Sequence, residues 1–210
     1  VHFLNSLFKL GLTGRNADRD AVLRFGLPAI VMSFLGAWLL VWLSGISPVF
    51  SYSAFGRLVS VTPVKLVVGL LLLIFASLEL LPRFRDMSFG KQYMPLGGML
   101  SGFFGGLSGM QGALRSAFLS RAGLSKEAFI ATGVVIACLI DFSRLAIYST
   151  SLARESAHFN YSLLVAVVLA AFVGAALGNR YLKKMTMPGI QRIVAVMLFA
   201  VALGLISGLL

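Results

Sequence analysis

The sequence predicts an all-α, polytopic membrane protein made of two inverted repeats, each with a re-entrant glycine-rich hairpin plus three transmembrane helices. Three observations lead to this prediction. The chain is 59% hydrophobic and 12% charged, with a mean hydropathy of +0.94, whereas soluble proteins are about 25% charged. One apolar stretch contains seven glycines. The loops between apolar stretches carry basic residues in an uneven distribution.

The apolar stretches are the candidate membrane spans, each of which needs about 20 apolar residues. They cover residues 25–45, 63–82, 128–148, 161–181 and 190–210, together with a partial span at 1–13. Thr62 followed by Pro63 is typical of a helix start, because proline fits the first helical turn.

Residues 93–122 contain the seven glycines and are followed closely by basic residues. A glycine costs about 1 kcal/mol relative to alanine in a helix interior. Broken backbone at membrane depth is tolerated only where it is buried or lines a cavity. The stretch therefore predicts a helix that breaks inside the membrane. The alternative is one glycine-rich helix that packs closely against a neighbour through its small residues.

Charge placement favours the broken form. If residues 93–122 cross the membrane once, seven loop cations lie on one side and eight on the other. If the segment returns to the side from which it entered, the split becomes twelve against three. Basic residues accumulate on the cytoplasmic side of membrane proteins, so the sequence favours the re-entrant hairpin.

An internal repeat is indicated by three pairs of similar segments in the same order. Residues 5–10, 34–37 and 63–68 resemble residues 140–145, 172–175 and 188–194. We expect a first repeat at 1–92, truncated at its N-terminus, and a second at 93–210. The first repeat's hairpin is expected about 40 residues before Val1. Three crossings per repeat would invert one repeat relative to the other, a plan common in secondary transporters.

Four charged residues lie within apolar segments: Lys9, Arg115, Asp141 and Arg144. A charge at the membrane centre costs about 3 kcal/mol on insertion scales, so such residues normally face a cavity or a partner. Asp141 and Arg144 share a helix face, since they are three residues apart. Three alternatives remain open: a fixed Asp141–Arg144 ion pair, Lys9 extending to the interface, and Arg115 reaching the cytoplasmic surface.

These residues predict a binding site for a small oxyanion, because arginine offers forked donors to such groups. The expected substrate-binding residues are Arg115, Gln111, Ser108, Ser116, Arg144, Asp141, Lys9 and Asn5. Backbone N–H groups at the break would add donors, and the expected hairpin glycines are Gly102, Gly105, Gly106, Gly109 and Gly112. Asp141 is also a candidate carrier of a coupling proton.

Other functions fit the sequence less well. The net charge of +11 follows from basic loops rather than a nucleic-acid surface. Cys138 is the only cysteine, no metal or other cofactor is expected, and there is no ATP-binding glycine loop. Gly106-Leu107-Ser108-Gly109 resembles the nucleophile motif of intramembrane serine proteases, but no histidine lies within an intact span. A membrane partner protein without transport activity remains an alternative.

The glycine-rich signature at residues 102–113, followed by residues 123–132, resembles the TauE/SafE family of membrane proteins. The resemblance implies two repeats, each with one such signature, and no enzymatic activity. It also implies a secondary transporter of the bacterial inner membrane that exports a small anion such as sulfite, an organosulfonate or another organic acid. Gln111 and Arg115 stand where the family often has small or apolar residues, which points to a different anion.

Overall fold

The computed structural model describes residues 2–54, 56–81, 89–120, 122–155, 162, 165–170, 173–174 and 187–210. These residues are mostly helical, as the sequence predicts. The helices are α1 (His2–Thr13), α2 (Leu27–Ser44), α3 (Pro63–Leu80), α4 (Met94–Ser108), α5 (Gly112–Leu119), α6 (Lys126–Glu155) and α7 (Met187–Ile206). A short helical turn, Arg19–Ala21, and a π-helical turn, Val22–Gly26, lead directly into α2.

One two-stranded sheet was not predicted. Strands β1 (Phe50–Ala54) and β2 (Arg57–Val61) pair antiparallel, with Phe50 opposite Val61. The pattern of spans predicts a loop at residues 46–62, and within it each strand has five residues. The predicted span at 161–181 lies largely outside the described residues.

Helix α2 buries small residues and exposes large apolar ones. In α2 the buried positions are Ala29, Ser33, Gly36 and Ala37, whereas Val31, Trp38 and Trp42 are more than half exposed. A soluble helix buries its large apolar side chains, so this distribution suits a lipid environment. Two helical segments are long and apolar enough to cross a membrane, Arg19–Ser44 and Lys126–Ser149, and two shorter apolar helices are Pro63–Leu78 and Arg192–Ile206.

The closest helix contact in the described structure joins α2, with its preceding turn, to α4. The two run parallel, because Gly98 lies against Phe25, Gly102 against Ala29 and Gly106 against Ser33. A Cβ at any of these glycines would clash with the backbone of α2. Glycines spaced four residues apart therefore form a flat strip that lets the two backbones approach, as small residues do in membrane helices.

Helix α5 folds back along α4. Gln111, just before α5, lies against Gly105, and Phe118 near its end lies against Gly97. The Phe118 ring also stacks on Phe89 at a centroid distance of 4.3 Å, and the backbone N–H of Phe89 donates to the carbonyl oxygen of Ala117. The chain therefore enters α4 and leaves α5 at the same end of this pair.

A dry cluster holds that end together. Its buried residues come from the turn before α2, from α2, from the α4–α5 pair with the loop that follows it, and from α6: Ala21, Phe25, Ala29, Met94, Phe118, Leu119, Ala122, Ile136 and Ile140. We call this cluster the base of the α4–α5 pair. It fixes the position of the opposite end, where α4 stops.

A second group of elements combines α3, α7 and the sheet. Gly69 of α3 packs against Ala202 and Ile206 of α7. The Lys65 Nζ donates to the carbonyl oxygens of Ser60 and Gly208, at 3.2 and 3.1 Å. Lys65 lies in the first turn of α3 and Gly208 lies just beyond the end of α7, so α3 and α7 run antiparallel.

Candidate functional site

Helix α4 ends at Gly109, which adopts the left-handed conformation with φ +81°. That conformation is accessible to glycine at little cost and ends a helix. The carbonyl oxygen of Gly106, in the last turn, accepts a hydrogen bond from the Tyr148 hydroxyl of α6 at 3.0 Å. Met110 and Gln111 then connect α4 to α5, and we call residues 109–111 the break.

Arg144 of α6 lies directly beside the break. A Cβ on Gly109 would lie 2.8 Å from Arg144 Nη1, so the arginine occupies space that a larger residue would fill. Its guanidinium is 5.4 Å from the centroid of the Tyr148 ring and 3.9 Å from Asp141 Oδ1. Because a helix C-terminus carries partial negative charge, the end of α4 also favours this cation.

Gln111 is 2% exposed, and its side chain packs on Gly105. Its backbone carbonyl accepts a hydrogen bond from Ser101 Oγ at 3.2 Å. Its side-chain Oε1 is 3.5 Å from Arg115 Nη1. The side-chain Nε2 is buried and has no hydrogen-bond partner. Within the described part of the chain, it is the one buried side-chain polar atom without a partner.

Arg115 is partly buried and lies one turn into α5. Its Nε lies 3.4 Å from the position that a Cβ on Gly133 would take, so a glycine of α6 gives it room. Arg115 also lies close enough to Asp141 and Cys138 for electrostatic interaction. Its long bond to Gln111 leaves most of its five N–H donors without a protein acceptor among the described residues.

Asp141 is 3% exposed and links α1 to the site. Its Oδ2 lies 2.5 Å from His2 Nδ1 and accepts a hydrogen bond from Ser6 Oγ at 3.5 Å. His2 is not among the site residues predicted from the sequence, because 139 residues separate it from Asp141 and no spacing rule connects them. The similarity between residues 5–10 and 140–145 was the one signal that these two segments belong together.

The remaining predicted site residues lie in varied surroundings. Ser108 Oγ donates to the carbonyl of Phe104 at 3.0 Å and accepts from the N–H of Met110 at 3.4 Å. Asn5 is partly buried, while Lys9 and Ser116 are exposed. Among the hairpin glycines, Gly102 and Gly106 face α2, Gly105 faces Gln111 and Ile140, and Gly112 has open space around its Cα.

The arrangement concentrates hydrogen-bond donors near the break. Two guanidinium groups and one amide face a region with a single carboxylate, Asp141. The first N–H groups of α5 add further donors, since a helix N-terminus leaves them without intrahelical acceptors. Such a set can hold an oxygen-rich anion. Ser108 is bonded within its own helix, and His2 is bonded to Asp141.

A membrane transport protein is the class that this combination of apolar helices and sheltered donors defines. The family model described as "Sulfite exporter TauE/SafE" matches residues 3–205. The chain belongs to this family, whose members are transporters and not enzymes. No curated protein and no solved structure matches the chain.

Proposed function

We propose that this protein is a secondary transporter that exports a small oxyanion bound between the break and α6. Sulfite, an organosulfonate or another organic acid is the proposed substrate class. The observation that carries the proposal is the buried, unpartnered Nε2 of Gln111 beside Arg115. Buried polar groups nearly always have partners, so an orphaned donor next to a cation indicates the place of an acceptor that is present when substrate binds.

The chemistry of the donors supports an oxyanion. A guanidinium offers parallel N–H groups that match carboxylate, sulfonate or sulfite oxygens, and the Gln111 amide supplies a neutral donor. The N-terminus of α5 faces the same region and favours negative charge. Arg115 and Arg144 together carry more positive charge than the one negative charge of Asp141, which favours an anion.

We further propose that α4 and α5 form a re-entrant hairpin whose break lies near the membrane midplane. The reversal of the chain at Gly109 and the shared base at Phe118 and Gly97 support it. The loop cations also support it, because the re-entrant form places twelve of them on one side and three on the other. In this arrangement α4 begins and α5 ends on the cytoplasmic side of a bacterial inner membrane.

The two repeats, residues 1–92 and 93–210, are proposed to be inverted relative to each other. Two helix pairs support this. Helix α1 runs antiparallel to α6, since Ser6 bonds Asp141 while the N–H of Asp18 bonds Thr132 Oγ1. Helix α3 runs antiparallel to α7. Each pair contains segments that resemble each other in sequence, as a two-fold axis in the membrane plane requires.

The proposal is tested by flux from proteoliposomes loaded in turn with sulfite, methanesulfonate and a small carboxylate. We expect the protein to release at least one of these anions and Arg115→Ala to abolish that release. The matched control is Arg19→Ala, which removes an exposed arginine and is expected to retain flux. Normal flux in Arg115→Ala would remove this residue from the site. No flux of any anion would favour a partner protein without transport activity.

A further inference from the structure

We infer that His2 and Asp141 form one proton site that is filled when the anion binds, so that proton and anion move in the same direction. This inference rests on the proposed transport function. It concerns how anion transport is coupled to proton transport. It adds His2, which is not among the substrate-binding residues predicted from the sequence. The Asp141 carboxylate lies between two different sets of partners.

The two oxygens of Asp141 face opposite neighbours. Oδ2 faces α1, where His2 Nδ1 lies at 2.5 Å and Ser6 Oγ at 3.5 Å. Oδ1 faces the candidate site, where Arg144 Nη1 lies at 3.9 Å. The carboxylate is 4% exposed as a side chain, whereas the imidazole is 61% exposed. A proton shared with His2 is therefore held at Oδ2, whereas Arg144 lies beside the other carboxylate oxygen, Oδ1.

The charged groups around the pair can be named for each element that packs on it. Helix α1 contributes His2 and the exposed Lys9, α5 contributes Arg115, and α6 itself contributes Cys138 and Arg144. Helices α2 and α4 carry no titratable side chain. The negative charge that Arg115 and Arg144 encounter in the described structure is therefore that of Asp141.

The charge of the His2–Asp141 pair determines whether proton binding strengthens or weakens anion binding. Without a proton the His2–Asp141 pair carries one negative charge, and with a proton it carries none, whichever partner holds it. A negative pair competes with the substrate for Arg144 and repels it. Adding a proton removes both effects, so the proton raises the affinity for the anion, and the anion raises the affinity for the proton by the same factor.

Because proton binding and anion binding strengthen each other, transport of a monovalent anion is electroneutral. One proton and one anion cross together, so the membrane potential does not drive the step. An inward proton gradient would favour uptake of the anion. Export would then proceed down the substrate's own gradient, as happens when a toxic anion accumulates inside the cell.

The test uses methanesulfonate as the probe, because this strong acid stays ionised while the protein titrates. Binding to the purified protein is measured from about pH 5 to 8 in weak buffer with a pH-sensitive dye. We expect uptake of up to one proton per anion bound. We also expect affinity to fall by up to about tenfold per pH unit as the pair loses its proton.

Two variants isolate the pair. Asp141→Asn should bind methanesulfonate with affinity independent of pH and without proton uptake. His2→Gln should keep a hydrogen bond to the carboxylate but move proton uptake to more acidic pH. Asp20→Asn, a change in an exposed ion pair with Arg24 and Lys91, is the control and should behave as the wild type.

The outcomes separate the two proposals. If the wild type binds methanesulfonate without taking up a proton, or if Asp141→Asn takes up a proton as the wild type does, the coupling inference is wrong and the anion site stands. If the wild type binds no methanesulfonate and releases none of the anions from vesicles, the proposed function itself fails. His2→Gln keeps the inference testable if Asp141→Asn does not fold.

Discussion

The two ends of the α4–α5 pair differ sharply, although the same glycine-rich segment builds both. At the base, Phe118 lies on Gly97 and the cluster around Phe25 is apolar. At the break, Gln111 lacks a partner for its amide and Arg144 lies against Gly109. The comparison shows that glycine serves packing at one end and backbone conformation at the other. Among the described residues, the buried side-chain polar atom without a partner lies at the break.

The largest effect is expected at the packed strip. Gly102→Val places two methyl groups against the backbone of Ala29, which cannot move as a side chain can. We expect a loss of more than about 3 kcal/mol, because overpacking against fixed atoms lies at the upper end of such costs. The measurement is the yield of monodisperse protein and its thermal midpoint in detergent.

Gly112→Ala is the matched control for that change, since nothing lies within 4 Å of the added carbon. We expect it to fold and to retain its thermal midpoint. If Gly102→Val were as stable as Gly112→Ala, close packing would not explain the glycine strip.

A substitution of Gln111 is expected to raise stability rather than lower it. Replacing this buried residue with methionine of similar size removes the unpartnered Nε2. An unsatisfied buried donor costs about 1–3 kcal/mol, so Gln111→Met should raise the thermal midpoint while it abolishes anion binding. The two measurements are made on the same preparation. A variant that is less stable than the wild type and still transports would show that the amide has no functional role.

The smallest effect is expected at Gly109. Gly109→Ala should cost about 1–2 kcal/mol from the left-handed conformation alone, and it should reduce flux because the added carbon displaces Arg144. Gly123→Ala meets a similar backbone penalty, at φ +75°, with nothing within 4 Å. Equal stability loss in both variants, with flux reduced only in Gly109→Ala, would separate strain from displacement of the arginine.

Local patterns predicted much of this arrangement. The glycine content of residues 93–122 indicated a broken helix, and the spacing of Asp141 and Arg144 indicated a shared face. The alternative of close packing through small residues also describes α4, since Gly98, Gly102 and Gly106 contact α2. One segment combines both properties, which the sequence analysis treated as alternatives.

Long-range relations were harder to predict. His2 reaches Asp141 because α1 crosses α6, and nothing in the sequence around His2 marks it as polar and functional. The donor without a partner at Gln111 is likewise a property of three-dimensional packing, since the sequence gives the amide but not the absence of its acceptor. Whether the predicted site residues bind substrate stays a prediction for the flux and binding measurements.

Arg144 and Arg115 have different neighbouring groups when no substrate is bound. Arg144 has the carbonyl end of α4, the Tyr148 ring and Asp141 nearby. Among the described residues, Arg115 has one long hydrogen bond, to Gln111, and an electrostatic interaction with Asp141. In the proposed transport cycle, the protein must change conformation with an empty site after it releases substrate, and Arg115 then has no anion beside it. When substrate is bound, the anion lies beside Arg115 during the conformational change. Exchange of labelled for unlabelled anion should therefore run faster than net release.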